Sequence, residues 1–326
     1  MAAALKALFD KRKLALTQAR FRAWWDGADF NEETALAEIE AKLAAANDRG
    51  VEGADDELFD PEPYDMPPRL RALALMWGDG RVRPGDSADE AAVVARLELG
   101  AEATVAVLGP GGPAPLTAYA GVHPGAIDVF EWREETVDAV KHGALVAKLG
   151  ARVAISRIDL EAYVFKPAHY DGLLSIDDFA YCSYPPHLTQ QIMKCLKPGG
   201  RAVIDSYVGL PTAAFATAFA TAFAEPHVRA HGDLLQFFAD VGLEVVSDED
   251  LTDAFLTLAR DGFKRLSAQL AEAGDLDVIA AREMAWEAEA WRTRMHLLAQ
   301  RRLERRRFVL RKPAEDQAEN ANTPSE

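Results

Sequence analysis

The chain has 326 residues, 49% of them hydrophobic, and a formal net charge of −16, which suits one large globular domain with extensions or two small ones. The acidic balance argues against non-specific binding to nucleic acid or to an anionic membrane surface, since both need a positive field, while a basic substrate or partner is compatible. No run approaches the roughly 20 apolar residues of a membrane helix, and the charged start (Lys6, Asp10, Lys11, Arg12, Lys13) lacks a signal-type apolar region, so a cytoplasmic protein without a membrane span is expected.

Residues 3–47 read as two helices carrying Leu5, Leu8, Leu14, Leu16, Phe21, Trp24 and Trp25, with Asn31 as N-cap of the second. A Pro- and acid-rich linker closes this helical extension, residues 1–68, whose apolar positions need a covering surface. Its own body, a second copy in a homodimer and another protein all qualify. A helix over 69–76, a turn at Gly78-Asp79-Gly80 and a helix over 87–99 with a Ser87/Glu90 capping box follow. The period then changes. Residues 104–108 form a short apolar run that predicts a buried parallel strand, and further strands are expected over 126–130, 152–155, 172–176 and 201–206.

Helices over 134–149 and 188–196 alternate with those strands, which predicts a right-handed βαβ series and a doubly wound parallel sheet. Cys182 and Cys195 match neither a CxxC motif nor a zinc cluster, so they read as buried thiols and no metal site is expected. Later come a helix over 232–241, a strand over 242–247, helices over 251–300 and an edge strand over 305–310. Phe215, Phe219 and Phe223 share one helical stripe that packs on the body or roofs a pocket, and Arg301, Arg302, Arg305, Arg306 and Arg307 read as a solvated face. The body therefore spans 69–311, with a binding core at 101–206 and a lid or acceptor region at 207–300, and 312–326 reads as a disordered tail.

Chemistry concentrates where predicted strands end. Leu108-Gly109-Pro110-Gly111-Gly112-Pro113 joins a strand to a helix beginning near Leu116, and its glycines permit close ligand approach while a helix start offers unpaired N–H groups. Such junctions also occur where nothing binds. Glu131, about 20 residues on, stands where an acid can accept bonds from both ribose hydroxyls, or is an ordinary solvated glutamate. Trp132 could pack on an adenine face or belong to the core. Asp159-Leu160 could meet the exocyclic amine of a base, which completes a purine nucleoside pocket along the carboxyl ends of the strands. After the fourth strand Asp177 or Asp178 could orient an amine or cation, and Tyr181 and Tyr207 could pack against it; as alternatives the aspartates cap and the tyrosines are core.

The order of Leu108-Gly109-Pro110-Gly111, Glu131, Asp159-Leu160, Tyr170-Asp171-Gly172-Leu173-Leu174-Ser175 and Leu196-Lys197-Pro198-Gly199-Gly200-Arg201 resembles the class I S-adenosylmethionine-dependent methyltransferases. Met76-Trp77-Gly78-Asp79-Gly80 with Pro84-Gly85 is similar to the segment preceding the cofactor loop in their small-molecule members. The resemblance implies a Rossmann-like doubly wound α/β sheet of the class I methyltransferase type with an N-terminal helical extension. It also implies S-adenosylmethionine as cofactor and a small-molecule acceptor. Gly109 and Gly111, with Leu108 and Pro110, would then flank the methionine part, Glu131 would hold the ribose, Asp159 with Leu160 and Trp132 would meet the adenine, and Ser175 would be a further cofactor-binding residue. Asp177, Tyr181 and Tyr207 would face the acceptor. Two departures stand out: Val107 where the family carries an acid, and Pro113 where it carries a third glycine. They keep a second expectation open, a catalytically inactive relative serving as a binding or regulatory subunit.

Overall fold

The computed structural model describes residues 64–209, 227–272 and 278–314, and, near the amino terminus, Asn31, Thr34, Leu36 and Ala37. Contacts divide the chain into Met1–Asp60 and Pro61–Glu326. In the first unit the Asn31 side chain accepts from the Thr34 N–H at 3.2 Å, the bond of an N-cap residue. Most of the expected extension, the stripe of Phe215, Phe219 and Phe223, and residues 315–326 of the tail lie outside the described residues.

In the second unit α1 (Pro68–Trp77) and α2 (Ser87–Ala95) precede β1 (Val105–Leu108), α3 (Pro113–Val122), β2 (Ile127–Glu131), α4 (Glu134–Val146) and β3 (Val153–Arg157). Then follow β4 (Tyr170–Ile176), α5 (Pro185–Cys195), β5 (Leu196–Gly209), α6 (His231–Asp240), β6 (Glu244–Asp250), α7 (Thr252–Glu272), α8 (Val278–Ala299) and β7 (Leu303–Arg311). The sheet runs β3-β2-β1-β4-β5-β7-β6. β1 to β5 pair in parallel as expected, whereas β7 runs antiparallel to both β5 and β6.

Alternation along the strands builds the two faces. Val105 and Val107 of β1 join Val129, Leu174, Val203 and Val309 in a core covered by α2, α3 and α4. Ala106 and Leu108 join Phe130, Leu173, Ile204 and Phe308 in a core covered by α5 and α6. A third cluster packs α1 against α7 and α8, where the Trp77 ring meets Trp291 edge-on at 4.6 Å. Cys182 and Cys195 are both free and buried, and burial pushes each thiol up to about 12.

Three sequence expectations are corrected. The N-cap of α2 is Asp86, whose carboxylate accepts from Ala88 and Asp89 N–H at 2.9 Å, and Glu90 pairs with Arg81 instead of closing a box on Ser87. The strand predicted at the edge is internal, since β7 lies between β5 and β6. Its arginines form no solvated face: Arg305 and Arg307 are buried. Facing Asp205 in register, Arg307 clasps that carboxylate with two bonds of 2.8 Å, both residues being 4% exposed. Arg305 stands opposite Tyr207 with its guanidinium 4.8 Å from the ring centre. Arg301 does face solvent, paired with Asp250 and Asp253 at 2.7 Å.

Removing one partner of a buried pair leaves the other charge stranded, a loss of about 3–5 kcal/mol. Arg307→Met is therefore expected to lower the unfolding free energy by about that amount in urea titration, and a loss below about 1 kcal/mol would show that the clasp is not buried in solution.

Candidate functional site

The glycine loop leaves β1 with Gly109, whose N–H donates to the Phe130 carbonyl at 3.0 Å. Gly109, Gly111 and Gly112 have φ of 56°, 78° and 120°, conformations that L side chains rarely adopt. A Cβ on Gly112 would lie 2.2 Å from the Gly80 carbonyl oxygen, because residues 80–83 cross directly over the loop. Two backbone bonds fasten that strap: Val82 N–H to Gly111 O and Ala114 N–H to Gly80 O, both 3.1 Å.

The strap changes the chemistry of the helix start. α3 begins at Pro113, not near Leu116, because proline's fixed φ suits the first helical position. Pro113 and Pro115 carry no N–H, and Ala114 already donates to Gly80. The unpaired amides expected from the sequence are therefore missing from those three positions. What faces the loop is Arg83, 7% exposed, whose Nε lies 3.1 Å from where a Gly111 Cβ would sit.

Glu131 ends β2 fully buried. Its Oε1 accepts from the Trp132 and Arg133 N–H groups at 3.0 Å and from Arg133 Nη1 at 3.2 Å, while its Oε2 is buried without a partner. The Arg133 guanidinium stacks 4.0 Å from the Trp132 ring centre and 5.2 Å from that of Tyr181, and the two rings lie 4.8 Å apart.

Asp178 links this group to the loop. Its Oδ1 accepts from Trp132 Nε1 at 2.7 Å and its Oδ2 from Ser175 Oγ at 2.8 Å. Its side chain lies against the face of Gly109 that any Cβ would fill. Burial raises its pKa, against the pull of Arg133, Trp132 and Ser175, to about 6.

Asp177, in the left-handed conformation (φ 72°), turns the other way and accepts from Arg305. Burial raises the Asp205 carboxyl, but Arg307, Arg305 and Arg83 outweigh it and hold that group below the usual carboxylate range. Tyr207 is buried between Arg305 and Arg294, whose guanidinium lies 5.4 Å from its ring centre.

The sequence-derived candidates thus fall into two neighbouring groups. Leu108, Gly109, Pro110 and Gly111 form the buried loop, beside Glu131, Trp132, Ser175 and Tyr181. Asp177 and Tyr207 meet around Arg305. Asp159 is exposed and caps a turn by accepting from the Glu161 N–H at 3.0 Å, next to Ile158, whose N–H donates to the Glu131 carbonyl at 3.1 Å, while Leu160 packs into the core with Phe130 and Phe165. Sequence reasoning missed Arg83, Arg133 and Arg305. Alternation along residues 303–309 was the available signal for Arg305; Arg83 and Arg133 carry none.

No family model matches the chain. It is 27% identical over 192 residues to phosphoethanolamine N-methyltransferase 1 of Zea mays, which covers 56% of this chain and only 36% of that relative's length. In fold it is similar to phosphoethanolamine N-methyltransferase 2 of Haemonchus contortus in complex with phosphomonomethylethanolamine and S-adenosylhomocysteine. There the TM-score is 0.63 at 17% identity, over 75% of this chain and 57% of that one. A putative sarcosine dimethylglycine methyltransferase from Galdieria sulphuraria gives 0.63 at 15% over 75% and 98%, and the [4+2]-cyclase SpnF gives 0.61 at 17% over 76% and 93%. The architecture is therefore the Rossmann-like fold of class I methyltransferases, as the sequence resemblance implied. The presence of a cyclase among its neighbours shows that this fold does not by itself fix the reaction.

Among the described residues no group of His, Cys, Asp and Glu could hold a metal ion, and no helix is long and apolar enough to cross a membrane.

The raised pKa of Asp178 makes a stability prediction. Between about 4, its unfolded value, and about 6 the folded chain holds more protons at this group than the unfolded one. Its contribution to stability is therefore full below that interval and falls as pH rises through it. Asp178→Asn keeps both hydrogen bonds, with the amide donating to Ser175 Oγ, and should remove this slope. Urea unfolding of both proteins across the interval checks it; a difference that does not change with pH would refute the assignment.

Proposed function

We propose that the chain is an S-adenosylmethionine-dependent methyltransferase acting on a small-molecule acceptor. The observation that carries this reading is Glu131, buried at the end of β2 beside a positive-φ glycine loop, with Oε2 lacking a donor. A buried carboxylate oxygen without a partner is costly, and a ribose hydroxyl would satisfy it. The fold neighbours solved with S-adenosylmethionine or S-adenosylhomocysteine support the same cofactor.

In this reading Leu108 to Gly111 form the floor under the methionine part, Glu131 orients the ribose, Trp132 offers a flat face to the adenine, and Asp159 with Leu160 borders it. Ser175 acts through Asp178, holding that carboxyl against Gly109. When bound, the cofactor supplies an electrophilic methyl group on a sulfonium. The chain's task is then orientation and exclusion of water, with a base needed only for a nucleophile that must lose a proton. Tyr181 and Tyr207 give the acceptor aromatic walls, and Asp177 presents a carboxylate shared with Arg305.

A second reading, a binding or regulatory protein that keeps the fold without the cofactor, draws on Pro113, Pro115 and the burial of Val107 in the core where the family carries an acid. Calorimetry separates the two. S-adenosylmethionine and S-adenosylhomocysteine should bind the purified chain, and Glu131→Ala should weaken both by about 10- to 100-fold, as loss of bonds to a charged acceptor implies. Absence of heat and of thermal stabilisation with either ligand would sink the enzyme reading.

A further inference from the structure

Three arginines, Arg83, Arg305 and Arg307, are buried together with two carboxylates, Asp177 and Asp205. Each carboxylate has its own arginine: Asp205 is clasped by Arg307, and Asp177 receives Arg305. The buried Glu90 is held by Arg81, with Nη2 2.9 Å from Oε2. Arg83 has no carboxylate within ion-pair distance among the described residues, although Asp177 and Glu90 act on it electrostatically from farther away. Among the described residues it makes one hydrogen bond, from Nη2 to the Tyr119 hydroxyl at 3.2 Å, and its Nε is buried with no partner. Burial holds the Tyr119 phenol well above its usual pKa, so it answers Arg83 with a dipole and no charge.

A guanidinium cannot escape burial by losing its proton, and a buried N–H left without an acceptor is costly. The unfilled Nε–H leaves Arg83 able to receive an anion. Position says which part of a ligand carries it. The strap that delivers Arg83 is bonded to the glycine loop at Gly111 O and through the Ala114 N–H, and Nε faces Gly111. The same strap and the two prolines remove amides that would otherwise serve an anion at this helix start.

We infer that Arg83 is the carboxylate-binding residue of this site: it holds the α-carboxylate at the amino-acid end of the cofactor, in place of the missing helix amides. The inference rests on the methyltransferase reading. It makes Arg83 a determinant of selectivity for the intact amino-acid end, since a ligand without the carboxylate leaves the buried Nε–H without an acceptor.

The test uses two ligands that share adenosine, thioether and amine: S-adenosylhomocysteine and S-adenosyl-3-thiopropylamine, which lacks only the carboxylate. Calorimetry on the wild-type chain should show the first binding at least about 10-fold tighter, the range of a charge-assisted bidentate pair. Arg83→Met should bring S-adenosylhomocysteine down to the level of the amine and leave the amine unchanged, while Arg83→Lys, a point charge without the fork, should keep part of the difference. Should Arg83→Met fail to fold, the wild-type ratio and Arg83→Lys decide. Equal wild-type affinities, equal weakening of both ligands in Arg83→Met, or no reduction of the wild-type ratio in Arg83→Lys would overturn the inference. An Arg83→Met chain that binds S-adenosylhomocysteine undiminished would also overturn it and assign the cation to an anionic acceptor. Binding of neither ligand to the wild type would instead sink the methyltransferase reading itself.

Discussion

The clasp between β7 and the carboxyl ends of β4 and β5 is the constraint on which the site depends. Asp177 and Asp205 are buried where an open α/β sheet presents its ligand crevice, and buried carboxylates need cations. β7 supplies them by running antiparallel beside β5, in a register that sets Arg307 opposite Asp205 and Arg305 opposite Tyr207. Strand pairing thus does electrostatic work. A slip of one residue would turn both arginines to the other face and present Arg306, which now pairs with Asp248 on β6, to Asp205.

A second consequence of packing lies at the glycine loop. Positive φ at Gly109, Gly111 and Gly112 brings the loop so close to its neighbours that Asp178 lies against one glycine and the Gly80 carbonyl against another. The loop is therefore shaped from outside, by the strap and by the turn after β4, as well as by its own sequence. This is how Pro113 can stand where a third glycine is usual: its ring starts a helix whose first amide donor is already committed to Gly80.

Much of the sheet was legible because burial on both faces forces continuous apolar runs between glycine-rich turns, and β1, β2 and β4 follow that pattern. Glu131 was legible for a related reason: the βαβ repeat fixes the distance from the glycine turn to the end of the next strand. β7 was not. A run of five arginines in seven positions reads as solvated, since arginine is seldom buried, and only the aspartates brought opposite by folding reverse that reading. Arg83 and Arg133 belong to the same class, because their partners are many residues away or on a neighbouring turn. The start of α3 and the cap of α2 were displaced by local chemistry, a proline at the first helical position and an aspartate one residue before the expected serine.

The arrangement also bears on what an acceptor would meet. Asp177 looks from sequence like a bare negative charge suited to an amine, yet its carboxylate is committed to Arg305, and Tyr207 lies beneath the same guanidinium. An acceptor there would face a neutral ion pair and an aromatic wall. Methyl transfer to an amine moves positive charge from the sulfonium to the acceptor, so a neutral environment avoids trapping the cationic product as a lone carboxylate would. The deep carboxylates then serve mainly to hold arginines in place, and Arg83, which has no carboxylate within ion-pair distance among the described residues, stands at the glycine loop, where a negatively charged part of a ligand could meet its unfilled Nε–H.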